Sequence, residues 1–252
     1  VPPAEKLPLV VIPARLASQR LPEKPLADLE GRPLLQRVYD SVAAEWPGRI
    51  LIATDSERIA KAARGFGAEV RMTSPHCRSG TERVAEAAKG ERAGIVVNLQ
   101  GDELFVTADM LRELTAPFRN DRKLCMSTLR SRLDSAEDFA NPNVVKVVVD
   151  AGDRALYFSR SPLPYFRDSG GAMSGATPVW KHLGLYAYRT DFLMEFASWD
   201  ESPLEKAERL EQLRALERGV RIQCPATKAR TFGVDTPEDL QRAAALVRRR
   251  QQ

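Results

Sequence analysis

Leu9-Val10-Val11-Ile12 is an unbroken aliphatic run that stops at Pro13-Ala14-Arg15, and it constrains the fold more than any other segment. Apolar side chains at consecutive positions suit a strand covered on both faces, as in a parallel sheet flanked by helices. The stretch that follows carries Arg15, Arg20 and Lys24, with Pro22 and Pro25 around the lysine. Cations placed there stand at the carboxyl edge of the sheet, where α/β folds bind ligands, which points to an anionic ligand such as a phosphate chain. Taken singly, each cation reads equally well as a solvated surface charge. The prolines shift that balance, because they reduce the entropy lost in holding Lys24 in one place.

The pattern then alternates. Strands are predicted over 7–12, 49–53 and 95–99, and helices over 33–46, 56–64 and 107–118, the second capped by Ser56 and ended by Gly65-Phe66-Gly67. Repeated βα units imply a largely parallel sheet with helices on both faces. The middle, from about Leu124 to Arg189, changes character: Lys146-Val147-Val148-Val149, Ala155-Leu156-Tyr157-Phe158 and Leu183-Gly184-Leu185-Tyr186 read as strands, and a Gly/Ser-rich mobile loop is expected over 167–178. Helices return over 202–218 and 236–250. A chain of 252 residues, 43% hydrophobic, without repeats or low-complexity tracts, fits one domain with an elaborated middle section.

Charge and cysteine content narrow the class. A net charge of +4, partly from Arg248-Arg249-Arg250, suits a protein handling small polyanions, and no basic patch interleaved with aromatics speaks for nucleic acid. Cys77, Cys125 and Cys224 form neither a metal spacing nor a disulfide framework, which fits a reducing compartment. No apolar run reaches a membrane span and Val1-Pro2-Pro3 carries no signal pattern, so the expectation is a soluble, cytoplasmic protein without membrane insertion.

Three further segments carry chemistry. Asn98-Leu99-Gln100-Gly101-Asp102-Glu103 places a carboxylate just past a buried strand, where it would repel a phosphate unless a divalent metal lay between them; a turn cap is the ordinary alternative. In Gly233-Val234-Asp235-Thr236-Pro237-Glu238-Asp239, Thr236 and Asp239 read as a capping box with proline at the first helical position. Asp235 is left over as a second hard-oxygen ligand, and an Asx-turn accounts for it nearly as well. Arg78-Ser79-Gly80-Thr81-Glu82-Arg83 opens a helix whose free N–H groups favour anions and whose small residues admit a base or sugar, although a plain cap explains it too.

Taken together, these segments resemble one family. The run from Ile12-Pro13-Ala14-Arg15 through Leu21-Pro22-Glu23-Lys24-Pro25-Leu26, Ser79-Gly80-Thr81-Glu82-Arg83 and Gln100-Gly101-Asp102-Glu103 is similar to the 3-deoxy-manno-octulosonate (Kdo) cytidylyltransferases, or CMP-Kdo synthetases. So are Asn141-Pro142-Asn143-Val144-Val145-Lys146, Ala155-Leu156-Tyr157-Phe158-Ser159-Arg160 and His182-Leu183-Gly184-Leu185-Tyr186. Ser202-Pro203-Leu204-Glu205, Glu211-Gln212-Leu213-Arg214 and the Gly233 to Asp239 stretch complete a match from about Leu7 to Leu246.

The resemblance implies a nucleotide-diphospho-sugar transferase-like three-layer α/β/α sandwich with a mostly parallel mixed central sheet and an elaborated dimerisation and sugar-binding section. It implies one cytidylyltransferase domain, 1–252, with a nucleotide part at about 7–125 and 225–250 and a sugar part at about 126–224. The activity implied is the joining of CTP to Kdo, giving CMP-Kdo and pyrophosphate for lipopolysaccharide biosynthesis, by a homodimer. On the same basis, Pro13, Ala14, Arg15, Arg20 and Lys24 match positions that bind CTP, with Arg15 and Lys24 on the triphosphate. Ser79, Gly80 and Gln100 match the cytidine side. Asp102 and Asp235 match magnesium ligands and, with Arg15 and Lys24, the catalytic set; two Mg²⁺ ions are implied, one accompanying the phosphates. Gln100, Arg160, Arg167, His182, Tyr186, Glu211 and Gln212 match the sugar-acid pocket. By residue type alone, His182, one of two histidines, reads as an ordinary core or surface residue, and Glu211-Gln212 as an exposed helix face.

In the reaction so implied, the anomeric hydroxyl of Kdo attacks the α-phosphorus in line, and no side chain stands out as a dedicated base. Leu104 replaces a proline common in the family, and Cys77, after His76, stands where a histidine is expected. Neither position touches an expected metal ligand. A cytidylyltransferase for 8-amino-8-deoxy-Kdo or a sialic acid would keep the nucleotide half and change the pocket. A non-catalytic binding homologue would be expected to lose Lys24 or a metal ligand, and this chain carries all three.

Overall fold

The opening aliphatic run forms the strand Leu9–Ala14, buried at every position. Parallel neighbours lie on both sides, Ile50–Thr54 and Ile95–Leu99, and a fourth parallel strand, Glu69–Met72, follows Ile50–Thr54. Val10, Val11 and Ile12 lose all contact with water, which stabilises the fold by about 1.5–3 kcal/mol per side chain. The strand starts and ends two residues later than its sequence pattern suggests, because Pro13 and Ala14 still pair with Ala53 and Thr54. The computed structural model describes residues 7–17, 20–175 and 177–251; Val1-Pro2-Pro3, Ser18, Gln19 and Ala176 lie outside the described residues.

The chain divides into two units, Val1–Leu111 with Arg230–Gln252, and Arg112–Ala229. In the first, helices Leu34–Ala43, Glu57–Gly65 and Gly80–Ala88 connect the parallel strands. Leu34, Leu35, Val38 and Val42 form the buried stripe of the first helix. Ser56 caps the second by accepting from the Ile59 N–H at 3.4 Å, and Gly67, at φ 83°, provides the left-handed residue that ends it. The helix expected over 107–118 is interrupted: it runs Ala108–Thr115 and resumes as Pro117–Asn120, since Pro117 cannot donate to the preceding turn.

The second unit is built on the long strand Trp180–Arg189, antiparallel to Met126–Arg132 and, at Lys181, to Lys146–Val149. Ala155–Ser159 pairs with the latter, while Ile222–Gln223 and Ala226–Thr227 add parallel to Met126–Arg132. The Gly/Ser-rich stretch contains a 3-10 turn, Arg167–Ser169, followed by Gly170 and Gly171 at φ 63° and 95°. Phe166 and Met173 pack on Leu133, Phe139 and Val179 and tie the turn to the unit's core.

The helix expected over 202–218 is two helices, Pro203–Glu208 and Leu213–Glu217, with Arg209 left-handed between them at φ 54°. Arg160 accounts for the break. Its backbone N–H and the Ser159 hydroxyl bind the Glu208 carboxylate, and its guanidinium donates to the carbonyls of Glu208 and Arg209. Those carbonyls are thus turned away from helix continuation. Among the described residues no helix is long and apolar enough to cross a membrane, and the three cysteines are free thiols.

Candidate active site

A cleft of about 700 Å³ opens at the carboxyl ends of the first unit's strands, and Pro13, Ala14, Arg15, Arg20, Lys24, Ser79, Gly80, Gln100, Asp102 and Asp235 all line it. Lys24 is held by its local turn. Glu23 takes a left-handed conformation, its carboxylate gripped by Arg58, with one bond at 2.9 Å; Pro25 behind is buried, and the Lys24 N–H donates to the Leu21 carbonyl at 3.2 Å. The ammonium is thereby aimed between two carboxylates, donating to Asp102 Oδ2 and, at 3.0 Å, to Asp235 Oδ1. Arg20 reaches the same Asp235 oxygen at 3.2 Å. Burial works against the charge on Lys24, but the charge and hydrogen bond of Asp102, then those of Asp235, outweigh it and hold the ammonium above the usual lysine range. Arg15 is exposed and makes no ion pair among the described residues.

A two-residue ladder brings together carboxylates 133 positions apart. Phe232–Gly233 pairs antiparallel with Glu103–Leu104, and the Val234 N–H donates to the Asp102 carbonyl at 3.0 Å, so Asp235 follows directly beside Asp102. The capping box then fixes it: Asp239 accepts from the N–H groups of Asp235 and Thr236 at 3.1 and 3.0 Å, while its own N–H donates to Thr236 Oγ1. Asp239 therefore holds the backbone of its neighbour as well as starting the helix.

The other wall is shaped by close approach. A Cβ on Gly101 would lie 2.9 Å from the Pro13 carbonyl oxygen, and one on Gly80 would press on Gln100 Oε1 at 3.4 Å. Ser79 caps its helix by accepting from the Glu82 N–H at 3.2 Å. Gln100 Nε2 donates to Asn98 Oδ1 at 3.0 Å, and buried Asn98 donates in turn to Thr81 at 3.3 Å, which leaves Gln100 Oε1 beside Gly80. Sequence reasoning overlooked Arg83, a buried cation lining the cleft and bound to Asp55 at 2.9 Å and Thr73 at 2.5 Å. Its position four residues after the Ser79 cap, in the first turn facing the sheet, was the available signal.

The remaining expected site residues belong to the second unit. His182 is buried, its Nε2 2.9 Å from Thr128 Oγ1, and packs edge-on against Phe158 and beside Tyr186. The Thr128 hydroxyl gives its proton to the Leu185 carbonyl at 2.7 Å and so accepts from His182 Nε2–H. Burial, with Lys181 adding to it, pushes the imidazole down to about 3, which keeps it neutral. Tyr186 donates to Gln212 Oε1 at 2.9 Å, and Gln212 Nε2, buried, has no hydrogen-bond partner among the described residues. Glu211 is held by Arg214, itself buried, at 3.0 Å. Arg167 is exposed with a side chain that pairs with nothing among the described residues. Arg160 differs from an open anion-binding arginine: its guanidinium is engaged by the carbonyls of Pro142, Glu208 and Arg209. Nearby Lys146, also overlooked, is fully buried and donates to the carbonyls of Asn141, Val144 and Arg160 at 2.6–2.9 Å. Burial, then Arg160, lowers its affinity for the proton against the pull of Glu208.

The model of the family described as Cytidylyltransferase matches residues 9–222, and the chain belongs to that family. The 3-deoxy-manno-octulosonate cytidylyltransferase of Geobacter sulfurreducens is 50% identical, over 92% of this chain and 96% of its own length. That of Solibacter usitatus is 46% identical, over 94% and 93%. The solved structure of CMP:2-keto-3-deoxy-manno-octonic acid synthetase complexed with CTP shares the fold with a TM-score of 0.89 and 40% identity, over 97% of this chain and 100% of that one. HddC from Yersinia pseudotuberculosis, at 15% identity and a TM-score of 0.69, over 96% of this chain and 100% of that one, is a likeness of fold alone. Within its family this chain takes its place among the 3-deoxy-manno-octulosonate cytidylyltransferases, with the nucleotide-diphospho-sugar transferase-like α/β fold expected from its motifs.

Proposed function

We propose that this chain joins CTP to Kdo, forming CMP-Kdo and pyrophosphate. The observation that carries the reading is the convergence of Arg15, Arg20 and Lys24 on the same cleft as Asp102 and Asp235. A triphosphate satisfies the cations. The two carboxylates then need a cation of their own, and hard oxygen donors completed by phosphate and water suit magnesium.

Asp102 and Asp235 would hold one Mg²⁺, with a second brought on the nucleotide phosphates, and the ions would supply charge neutralisation and a lowered pKa for the attacking hydroxyl. Arg15 and Lys24 take the β and γ phosphates and stabilise the charge that grows on departing pyrophosphate. Gly80 and Gly101 let the base and sugar approach the backbone, and Gln100, with its amide end fixed by Asn98, presents its oxygen. Apart from Arg167, the sugar acid is read by neutral hydrogen-bonding groups. His182 and Tyr186 are held in fixed rotamers by Thr128 and Gln212, and the unpartnered Gln212 Nε2 supplies a donor that a hydroxyl or carboxylate oxygen would satisfy. Arg160 shapes this region by holding the turn at Arg209, while Arg167 is free to meet the sugar's carboxylate.

The protein works as a homodimer in the cytoplasm. Leu156 and Tyr165, 60% and 69% exposed, are side chains that a second copy would cover. Incubation with CTP, Mg²⁺ and a panel of Kdo, 8-amino-8-deoxy-Kdo and sialic acid, following pyrophosphate, tests the reading. Release with Kdo well above the others supports it; release with a sialic acid alone reassigns the sugar, and release with none refutes the activity.

A further inference from the structure

The place between Asp102 and Asp235, where a metal ion would be held, is filled from within the chain by the Lys24 ammonium. Lys24 Nζ lies between Asp102 and Asp235, in hydrogen-bond contact with both, and Arg20 supports the second of them. Two cations and two carboxylates make this part of the cleft neutral as it stands. A divalent ion arriving alone would meet an ammonium already seated on both of its ligands, and would have to displace it into a cleft whose described lining holds no other carboxylate. A triphosphate changes this, because it offers Lys24 and Arg20 new partners of high charge and vacates the carboxylates at the same moment.

We propose that Lys24 is an internal counter-cation that keeps the metal ligands together and closed to divalent ions until nucleotide draws it away. It is a positioning residue before the reaction and a phosphate contact during it. Metal and nucleotide then bind in a coupled way, each improving the other's affinity, and the coupling resides in the movement of one ammonium. The side chains involved are only partly covered, Lys24 16% exposed, Asp102 31% and Asp235 49%, so the exchange needs a rotamer change of the lysine and no opening of the core. The inference rests on Asp102 and Asp235 being the metal ligands.

The test is Mn²⁺ binding to nucleotide-free protein, read by electron paramagnetic resonance, with turnover playing no part. Wild type should bind weakly, Lys24→Met at least about tenfold more tightly, and Lys24→Arg as weakly as wild type because the cation is retained. Adding Asp235→Asn to Lys24→Met should abolish the gain. Lys24→Gln keeps a polar head between the carboxylates and should also bind more tightly, which guards against an effect of misfolding in the methionine variant. Equal affinity in wild type, Lys24→Met and Lys24→Gln overturns the inference. A different failure marks the metal assignment itself: if protein loaded with a non-hydrolysable CTP analogue shows the same Mn²⁺ signal with and without Asp102→Asn and Asp235→Asn, those carboxylates are not ligands and the inference falls with them.

Discussion

The two units place polar groups in opposite ways. In the first, charges face one another across a partly open cleft: Lys24 and Arg20 against Asp102 and Asp235, with Arg15 exposed beside them. In the second, the comparable groups other than exposed Arg167 are neutral or tied down. His182 is kept uncharged by burial, Tyr186 and Gln212 bind each other, and Arg160 and Lys146 spend their donors on backbone carbonyls. Formal charge kept near water can be handed to an incoming polyanion and metal with modest desolvation cost, whereas buried neutral donors discriminate by leaving a costly unpaired group when the wrong ligand binds. The first arrangement suits a triphosphate and its cations, and the second suits a polyhydroxylated acid.

The largest expected effect lies in the first unit. Asp102→Asn and Asp235→Asn should each lower kcat by about three orders of magnitude with an unchanged circular dichroism spectrum. Full turnover in either variant, or in EDTA, would remove the metal role. Lys24→Ala comes next: if the ammonium stabilises charge that grows on the leaving pyrophosphate, kcat should fall by about a hundredfold and CTP binding should weaken as well. A rise in KM for CTP with kcat unchanged would make it a uniform binding contact.

Substitutions in the second unit should be smaller and should split between substrates. His182→Ala and Gln212→Leu are expected to raise KM for Kdo by about tenfold or more while leaving KM for CTP nearly unchanged. Steady-state kinetics with each substrate varied in turn decides this, and equal losses for both would erase the contrast between the units. The smallest effect is on stability. The His182 imidazole titrates near 3 when folded and near 6.5 when unfolded. Its contribution to stability is therefore complete above pH 6.5 and is lost progressively as pH falls toward 3. Nuclear magnetic resonance should show this ring still neutral at pH 5; a titration midpoint near 6.5 would contradict its buried setting.

Much of the first unit was legible in the sequence because its signals are local. The aliphatic run at Leu9 opens a strand that is buried along its whole length, Ser56 and Thr236 cap the helices they precede, and Asp102 stands just past a buried strand. The pairing of Asp102 with Asp235 came through family resemblance and not through pattern, since the ladder that joins them is two residues long and leaves no periodicity. The second unit was less legible for a related reason. The helix break at Arg209 depends on Arg160, 49 positions earlier, and the periodicity of 202–218 carries no trace of it. Lys146 looks like a strand residue facing solvent until three carbonyls converge on its ammonium. Arg83, likewise, reads as a surface helix charge until Asp55 and Thr73 close on it.

The exchange of partners in the first unit is observed directly by anomalous diffraction from crystals grown with Mn²⁺ and a non-hydrolysable CTP analogue. The predicted map has an anomalous peak within coordinating distance of Asp102 and Asp235 and the Lys24 ammonium moved onto the triphosphate. A map in which Lys24 still bridges the two carboxylates, with the metal bound elsewhere, would contradict it.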